Sequence, residues 1–352
     1  MAATLSINDF IFQLKESKKV LIDVRSEGEY EQGHIPGAKN IPLLNDEHRI
    51  IVGTTYKQQG REAAVRAGFD LVGKKFVEFI DRAKELTEGK EIYLYCWRGG
   101  MRSNIMAWVL NMAGYKIALV KGGYKAYRNW ALQQFETPKN ILILGGKTGS
   151  GKTEILIELK DYGEQIIDLE AIANHKGSAF GGLGQLPQPT QEHFENLLAW
   201  QWSGIEADKI LWLENESRTI GHRKIPDVIF DLMRAADVIE VERNFEVRKE
   251  RILNEYGIFT KEELAAKTNG VAKRLGGLRL KQALEFLDEN DLNAWVQIML
   301  DYYDHTYSHS NQLRDKSKTL LIEFENERSC KSIAEIVRSK KESSKAPNKI
   351  ED

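Results

Sequence analysis

Short apolar runs alternate with longer stretches of helical spacing along the first 137 residues of the chain. Residues 20–24 (VLIDV), 91–95 (EIYLY) and 118–120 (ALV) have the length and composition of buried strands. Residues 69–86 place apolar side chains at a spacing of about 3.6 and predict one helix. Alternation of this kind is typical of an α/β fold, in which helices cover both faces of a mainly parallel sheet.

A further helix is predicted at 105–112, with Ser103 in its N-cap position. The pattern resets near residue 137, because Pro138 stands just before a new apolar strand at 141–144. We therefore predict a domain boundary near residue 137.

The second part of the chain repeats the α/β pattern and then becomes helical. Further strands are predicted at 165–169, 210–213 and 237–241, with an ordered or gated Gly/Pro-rich loop at 177–189. Residues 245–307 are helical in pattern and rich in Arg and Lys. The predicted organisation is one domain at 1–137, a second domain with a helical extension at 138–340, and a polar, disordered tail at 341–352.

Composition and charge are those of an ordinary soluble globular protein. Of the 352 residues, 42% are hydrophobic and 29% are charged, and the formal net charge is −2. This balance excludes a surface that is basic throughout, but not a local basic groove. No apolar run approaches the roughly 18 residues of a membrane span, and the N-terminus lacks the features of a secretory signal. The two cysteines, Cys96 and Cys330, could form a disulfide by count, but a soluble protein without a signal is expected to keep its thiols reduced, and we predict a cytoplasmic protein.

A glycine-rich segment fits the pattern G-x-x-x-x-G-K-[ST] without a mismatch. It consists of Gly146, Lys147, Thr148, Gly149, Ser150, Gly151, Lys152 and Thr153. The segment lies between a predicted strand and a predicted helix, the setting in which this pattern forms a P-loop. Backbone N–H groups and the helix N-terminus would then face phosphate oxygens. We predict that Lys152 reaches the terminal phosphates and that Thr153 holds Mg²⁺ if a metal takes part.

Acidic residues follow two predicted strands of the same domain. Glu214 and Glu216 come directly after one strand, and Asp168 ends another. A carboxylate at either place could orient Mg²⁺ or a water molecule beside the phosphate. Each one alone is more typical of a solvated strand end, so Thr153, Asp168 and Glu214 stay alternative ligands for Mg²⁺.

A second strand-to-helix turn carries a cysteine. The turn consists of Cys96, Trp97, Arg98, Gly99, Gly100, Met101 and Arg102. Its backbone N–H groups, the helix dipole and the cations Arg98 and Arg102 favour thiolate over thiol, and would also stabilise a persulfide. We predict that Cys96 is catalytic, and that Cys330, which has no such surroundings, is a bystander.

Four short motifs precede this cysteine turn. They are IDVR at 22–25, EY at 29–30, GHIPGA at 33–38 and NIP at 40–42. Together they resemble the first signature of the rhodanese family, whose active-site loop would then be residues 96–102. Rhodaneses carry a transferable sulfur as a cysteine persulfide. The resemblance implies that Asp23 and Arg25 are structural and hold the loop by charge-assisted hydrogen bonds.

Further motifs extend the pattern from about residue 20 to about residue 307. They are VGTTYKQQG at 52–60, KGGYK at 121–125, DLE at 168–170, HKGSAFG at 175–181, LENESR at 213–218 and DYYD at 301–304. With the cysteine turn and the P-loop, this set resembles the bacterial tRNA 2-selenouridine synthases, which join a rhodanese domain to a P-loop NTPase-like domain. The resemblance implies a transferase that replaces the sulfur of wobble 2-thiouridine in tRNA by selenium from selenophosphate. It also implies S-geranylation of that sulfur with geranyl diphosphate.

Both implied co-substrates carry phosphate, so a P-loop that grips phosphate or diphosphate, rather than hydrolysing ATP, makes chemical sense. Our mechanistic hypothesis is that Cys96 accepts or delivers the selenium nucleophile while Arg98 and Arg102 neutralise the anion. No organic prosthetic group is expected.

A tRNA partner needs cationic surface for its phosphates and aromatic side chains for unpaired bases. Candidate cations are Lys121, Lys125, Arg128, Arg243, Arg248, Lys249, Arg251, Lys273, Arg274, Arg279 and Lys281, and candidate stacking residues are Trp97, Tyr124 and Tyr127. Arg248 and Arg251 could instead close over the phosphate ligand as lid arginines. The sequence leaves both roles open, and no membrane partner is expected.

Other functions stay open on the sequence. A plain rhodanese sulfurtransferase would turn over thiosulfate and cyanide without tRNA. A P-loop kinase or NTPase with a regulatory rhodanese module would hydrolyse ATP with dependence on Lys152 but not on Cys96. A non-catalytic RNA-binding adaptor would not need two intact chemical loops.

Overall fold

The computed structural model describes residues 2–16, 19–87, 89, 91–311, 316–324 and 330–340. The strands are β1 (Ala3–Leu5), β2 (Val20–Asp23), β3 (Lys39–Asn40), β4 (Glu91–Tyr95), β5 (Lys116–Val120), β6 (Asn140–Gly145), β7 (Gln165–Ile166), β8 (Ile210–Glu214), β9 (Thr219–Ile220), β10 (Arg223–Lys224), β11 (Asp237–Arg243) and β12 (Thr319–Phe324). The predicted disordered tail at 341–352 lies outside the described residues.

Helices make up most of the remaining chain. They are α1 (Ile7–Glu16), α2 (Glu27–Gln32), α3 (Asp46–Gln59), α4 (Arg61–Val72), α5 (Phe76–Leu86), α6 (Met101–Met112), α7 (Gly123–Gln134), α8 (Lys152–Asp161), α9 (Leu169–Ala173), α10 (Gln191–Trp202), α11 (Asp227–Ala235), α12 (Phe245–Tyr256), α13 (Lys261–Gly270), α14 (Ala272–Leu275), α15 (Gly277–Asp288), α16 (Leu292–Asn311) and α17 (Cys330–Lys340). None of the helices in the described part of the chain is both long and apolar enough to cross a membrane.

The chain forms two compact units, and each is made of more than one segment of the sequence. One unit contains the residues up to Glu136 together with Thr190–Ser203, and the other contains the remaining residues. Helix α10 therefore packs with the N-terminal unit although it follows the P-loop in sequence. The prediction of 138–340 as one continuous domain did not foresee this, because an amphipathic pattern does not indicate which sheet a helix covers.

The N-terminal unit is built on a five-stranded parallel sheet of order β1-β5-β4-β2-β3. Strands β2 and β4 are neighbours, with Asp23 opposite Tyr95. Their carboxyl ends therefore meet at one edge of the sheet, where Arg25 and Cys96 follow. The apolar core beneath this edge includes Cys96 itself.

The second unit has its own five-stranded parallel sheet, of order β12-β11-β6-β8-β7. Strand β6, which leads into the P-loop, lies at its centre, with Leu144 opposite Glu214 and Gly145 opposite Glu240. Helices α12 to α16 form an extension with a separate apolar core, into which the loop at 177–189 inserts Phe180. The predicted fold class, two α/β domains with mainly parallel sheets and a helical extension, is confirmed.

Local predictions had mixed outcomes. The strand at 91–95, the loop at 177–189 and the helices across 245–307 are confirmed. The single helix at 69–86 is wrong, because α4 ends at Val72 and a 3-10 turn separates it from α5.

Two further predictions placed a helix start or a strand end wrongly. Ser103 is not an N-cap: α6 begins two residues earlier, after Gly100, and Ser103 lies in its first turn. The strand predicted at 165–169 stops at Ile166, because Asp168 caps the next helix with its side chain.

Candidate functional site

The sulfur of Cys96 lies in a small pocket of donors at the start of α6. Cys96 is 3% exposed, the Gly100 N–H donates to its Sγ at 3.2 Å, and the Ser103 hydroxyl lies 3.3 Å from it. The same hydroxyl donates to the Gly100 carbonyl at 3.1 Å. Because a hydroxyl has one proton, it can serve either that carbonyl or a thiolate. The turn can therefore accommodate both the thiol and the thiolate.

The KGGYK motif holds the cysteine turn from the side. The backbone N–H groups of Tyr124 and Lys125 donate to the carbonyls of Cys96 and Trp97 at 2.9 and 3.0 Å. Gly123 has φ of +59°, and a Cβ there would stand 2.2 Å from the Cys96 carbonyl oxygen. Glycine is thus required where the two backbones meet.

The two arginines of the turn have different surroundings. Arg102 forms a bidentate ion pair with Glu29, at 2.5 and 3.1 Å. Burial raises the pKa of Glu29, but the hydrogen bond and charge of Arg102 outweigh it, so that the pKa is lowered overall. Arg102 is therefore engaged by Glu29, whereas Arg98 is exposed.

Asp23 and Arg25 form a buried ion pair at 2.7 Å, beside the turn. Arg25 also donates to the Gly33 carbonyl at 2.6 Å, and its guanidinium lies 3.8 Å from the centre of the Tyr124 ring. These contacts support the expected structural role of the pair. Tyr124 and Tyr127 are completely buried, so the prediction that they stack on a base is wrong.

Glycines shape the P-loop as its pattern requires. Gly149 and Gly151 have φ of +80° and +81°, and α8 begins directly after Gly151. The Lys152 ammonium folds back to the Gly146 carbonyl at 2.9 Å, while the Gly146 N–H donates to the Tyr307 hydroxyl at 2.9 Å. The loop is thus preformed at a helix N-terminus, where phosphate is favoured.

Arg248 fastens the P-loop to the helical extension. It is 2% exposed, donates to the Thr148 carbonyl at 3.0 Å and forms a bidentate pair with Asp304 at 2.8 and 2.6 Å. This burial is incompatible with Arg248 as an RNA contact. Arg251 pairs with Glu154, in the first turn of α8, at 2.7 Å, so a lid role stays a prediction for that residue.

The other cations predicted to contact RNA differ in their solvent exposure. Arg243 is buried and Arg128 pairs with Glu195, whereas Lys249 is half-buried; those that are exposed are Lys121, Lys125, Lys273, Arg274, Arg279 and Lys281. Exposure alone does not show that these residues bind RNA, so the RNA contacts stay predictions.

Three glutamates meet beside the P-loop. Ligand oxygens of Glu170, Glu214 and Glu216 all lie within 4.8 Å of one another, and the Thr153 hydroxyl lies 3.5 Å from the Glu170 carboxylate. Glu214 is 2% exposed, and neither of its carboxylate oxygens has a hydrogen-bond partner among the described residues. A buried carboxylate of this kind is suited to binding a cation.

Electrostatics support a cation at these glutamates. Burial, followed by the charges of Glu216 and Glu214, raises the pKa of Glu170 to about 10. Burial likewise raises the pKa of Glu214 to about 8, although the Lys152 charge opposes it. Three oxygen donors that cannot all ionise alone fit the hard ion Mg²⁺.

The sequence assigned only part of this cluster. Glu214 and Thr153 lie where they were expected. Asp168 instead accepts the Ala171 N–H at 2.8 Å as a helix cap and lies outside the three-glutamate cluster. Glu170 was missed; its only signal was its place in the DLE motif.

Comparison with known proteins decides the family. Residues 139–343 match the family described as "tRNA 2-selenouridine synthase AAA domain", and residues 8–129 match "Rhodanese-like domain". A protein from Shewanella denitrificans named tRNA 2-selenouridine synthase is 36% identical over 86% of this chain and 90% of its own length. The chain belongs to the tRNA 2-selenouridine synthase family. The family predicted from the motifs is therefore confirmed.

Further relatives agree over the same extent. Proteins of that name from Shewanella oneidensis and Nitrosomonas europaea are 38% and 32% identical, over 86% and 84% of this chain and 89% of each relative. Among solved structures, the N-terminal domain of a Clostridium difficile protein is 41% identical over 37% of this chain and 99% of its own length, with a TM-score of 0.34.

Proposed function

We propose that this chain is a transferase that replaces the sulfur of wobble 2-thiouridine in tRNA by selenium from selenophosphate, by way of an S-geranyl intermediate. The observation that carries the proposal is the pairing, in one chain of this family, of a cysteine sulfur held by amide and hydroxyl donors with a preformed P-loop. A cytoplasmic location is part of the proposal, since thiolated tRNA is the substrate.

The P-loop is assigned to the phosphate end of each donor. Its N–H groups, the α8 N-terminus and Lys152 would bind the diphosphate of geranyl diphosphate and the phosphate of selenophosphate. Thr153, Glu170, Glu214 and Glu216 would hold Mg²⁺, which when bound neutralises charge on the departing diphosphate.

The proposed reaction balances without an oxidant. In the first step the sulfur of 2-thiouridine attacks geranyl C1, the C–O bond to diphosphate breaks, and the base loses its N3 proton. In the second step selenium of selenophosphate attacks C2 and the C2–S bond breaks, so that geranylthiolate leaves and takes up a proton. Water then cleaves the Se–P bond to give phosphate and 2-selenouridine.

Cys96 is assigned to the second step. An S–Se bond on Cys96 would need an oxidant, because both a thiolate and the selenium of selenophosphate are fully reduced. The Cys96 thiol can instead donate the proton that the departing geranylthiolate takes up, and Ser103 and Gly100 can then hold the resulting thiolate. Since Cys96 is buried, the turn has to open for this contact.

Nucleoside mass spectrometry tests the function directly. Thiolated tRNA would be incubated with the protein and geranyl diphosphate, with and without selenophosphate. We expect S-geranyl-2-thiouridine with the first donor alone and 2-selenouridine with both. An unchanged nucleoside profile from folded protein would refute the proposal and direct attention to thiosulfate–cyanide turnover and ATP hydrolysis.

A further inference from the structure

Helix α3, which contains most of the VGTTYKQQG motif, exposes apolar side chains that a packed helix usually buries. It packs along α4, yet none of its residues is buried. Ile50 is 61% and Tyr56 is 59% exposed. Most helices in proteins depend on a packed apolar face for their stability. The exposure therefore points to a partner that covers α3.

The exposed residues form one continuous surface. At about 100° per residue, Arg49, Ile50, Gly53, Tyr56 and Lys57 lie within about 120° of the helix circumference. We call these five residues the α3 face. It combines two cations, an aromatic ring and an aliphatic side chain around a glycine.

Gly53 at the centre of the α3 face is not required by the fold. A Cβ at this position would meet nothing within 4 Å, and alanine is much the better helix former. Glycine leaves a bare stretch of helix backbone between the flanking side chains, which allows a partner to approach closely. The residue is thus better explained by binding than by folding.

The charge around the α3 face suits a polyanion. Residues 48–61 contain Arg49, Lys57 and Arg61 but no Asp or Glu, and the carboxylates of Glu29 and Asp46 each lie 4.0 Å from the Arg49 Nε. Cations of this kind neutralise phosphates, and an exposed ring such as Tyr56 stacks on an unpaired base. A wholly apolar protein partner would not need these cations.

The α3 face is also tied to the cysteine turn. The Asp46 carboxylate accepts the Gly28 N–H at 2.9 Å, which joins the first turns of α3 and α2. In the same turn of α2, Glu29 lies 4.0 Å from Arg49 and pairs with Arg102 of the cysteine turn. One carboxylate therefore links the α3 face to the start of α6.

We propose that the α3 face binds the unpaired anticodon loop of the RNA substrate and brings it beside the cysteine turn. Tyr56 stacks on a base, Arg49 and Lys57 contact phosphates, and the bare backbone at Gly53 lets the strand approach. This inference rests on the proposed function, which supplies the RNA.

Binding of an anticodon stem–loop RNA with 2-thiouridine at the wobble position, measured by fluorescence anisotropy with the full-length protein, tests the inference. Tyr56→Ala is expected to weaken binding about five- to hundredfold through loss of stacking. Lys57→Gln is expected to weaken binding and to lower the slope of log K against log salt by about 1.

Gly53→Ala gives the sharpest result, because folding and binding predict opposite signs. The substitution should raise the melting temperature, since alanine favours the helix, and should weaken RNA binding because its methyl group blocks close approach. Unchanged binding by Gly53→Ala and Tyr56→Ala would overturn the inference.

Matched controls separate this surface from general effects. Phe12→Ala removes an exposed ring of α1. Lys84→Gln removes an exposed charge near the end of α5. Helix α5 precedes the amino end of β4, whereas Cys96 follows the carboxyl end of that strand. Both should bind RNA as the parent does, and equal losses in controls and α3 variants would overturn the inference.

The remaining outcomes are also decisive. Normal RNA binding with a changed oligomeric state in the α3 variants would assign the surface to a second copy of the chain and overturn the inference. Failure of the parent protein both to bind and to modify the RNA would instead refute the proposed function, and the inference with it.

Discussion

The cysteine turn and the P-loop use the same local architecture for different purposes. Each follows a buried strand in the middle part of a parallel sheet, turns through a glycine of positive φ and ends at the first residue of a helix. In the cysteine turn, the Gly100 N–H and the Ser103 hydroxyl already face an atom of the same chain. The P-loop contains no such reactive atom.

The difference shows in how charge is compensated. Beside Cys96, the Arg102 cation is paired with Glu29, so the sulfur depends on neutral donors. Beside the P-loop, the Lys152 ammonium donates to the Gly146 carbonyl, and the Glu214 carboxylate has no hydrogen-bond partner within the part of the chain that the structure describes. A strand–turn–helix whose charges are already paired suits a reactive atom of the chain itself, here the Cys96 sulfur. One whose charges are not compensated suits an ionic ligand that binds and dissociates.

Cys96→Ser should have the largest effect if the two turns have separate tasks. We expect selenium incorporation to fall by about 10²–10⁴-fold through loss of the acid, while S-geranylation continues. Nucleoside mass spectrometry would show S-geranyl-2-thiouridine accumulating. Cys330→Ser is the matched control and should behave as the parent, and equal loss of both products in Cys96→Ser would contradict the division of tasks.

Lys152→Ala, in contrast to Cys96→Ser, should impair both S-geranylation and selenium incorporation. Because Lys152 is assigned to the phosphate of both donors, we expect both reactions to fall by about 10²–10³-fold, as for other single donors to a reacting anion. Lys160→Ala is the control, since Lys160 is exposed in the last turn of α8, outside the P-loop, and should change the rates little. Retained geranylation in Lys152→Ala would remove the P-loop from the first step.

Gly123→Ala tests how tightly the cysteine turn is held. The new Cβ would collide with the Cys96 carbonyl oxygen, so we expect a loss of about 2–4 kcal/mol in the free energy of unfolding. Urea denaturation measures it. Gly37→Ala is the control, because Gly37 has φ of +81° but open space around it, and should lose only about 1–2 kcal/mol. Equal losses would show that strain, not contact with the turn, dominates.

A smaller effect is expected from Mg²⁺ and pH at the three glutamates. Their pKa values are raised above the ordinary 4.5, so without a cation the folded state loses stability as pH rises from about 4.5 towards the raised values. Mg²⁺ should therefore raise the melting temperature more at pH 8.5 than at pH 6.

Variants locate this Mg²⁺ effect. Glu214→Gln should abolish it, whereas Asp168→Asn should retain it, because an asparagine can still cap α9. A melting temperature that responds to Mg²⁺ equally at both pH values, or in Glu214→Gln, would place the ion elsewhere.

Sequence reasoning succeeded where the signal is local. The strand at 91–95 contains a continuous apolar run at 92–95, and the P-loop is specified within eight adjacent residues. It failed where contacts cross large sequence distances. Glu170 joins Glu214 only because β7, β8 and β6 are neighbours, and Arg248 reaches Asp304 across 56 residues. An N-cap pattern likewise could not show that the Ser103 hydroxyl faces a sulfur.

The placement of α10 has a consequence for biosynthesis. The Tyr124 hydroxyl donates to Glu192 at 2.6 Å and accepts from Asn196 at 2.7 Å, and Tyr124 also supports the cysteine turn. The N-terminal unit therefore stays incomplete on the ribosome until α10 has left the exit tunnel, well after the P-loop has emerged. Growing chains usually fold from the N-terminus one domain at a time. Here the N-terminal unit has to wait for α10, which is synthesised after the P-loop, so a nascent chain arrested between the two would carry an unfinished cysteine turn.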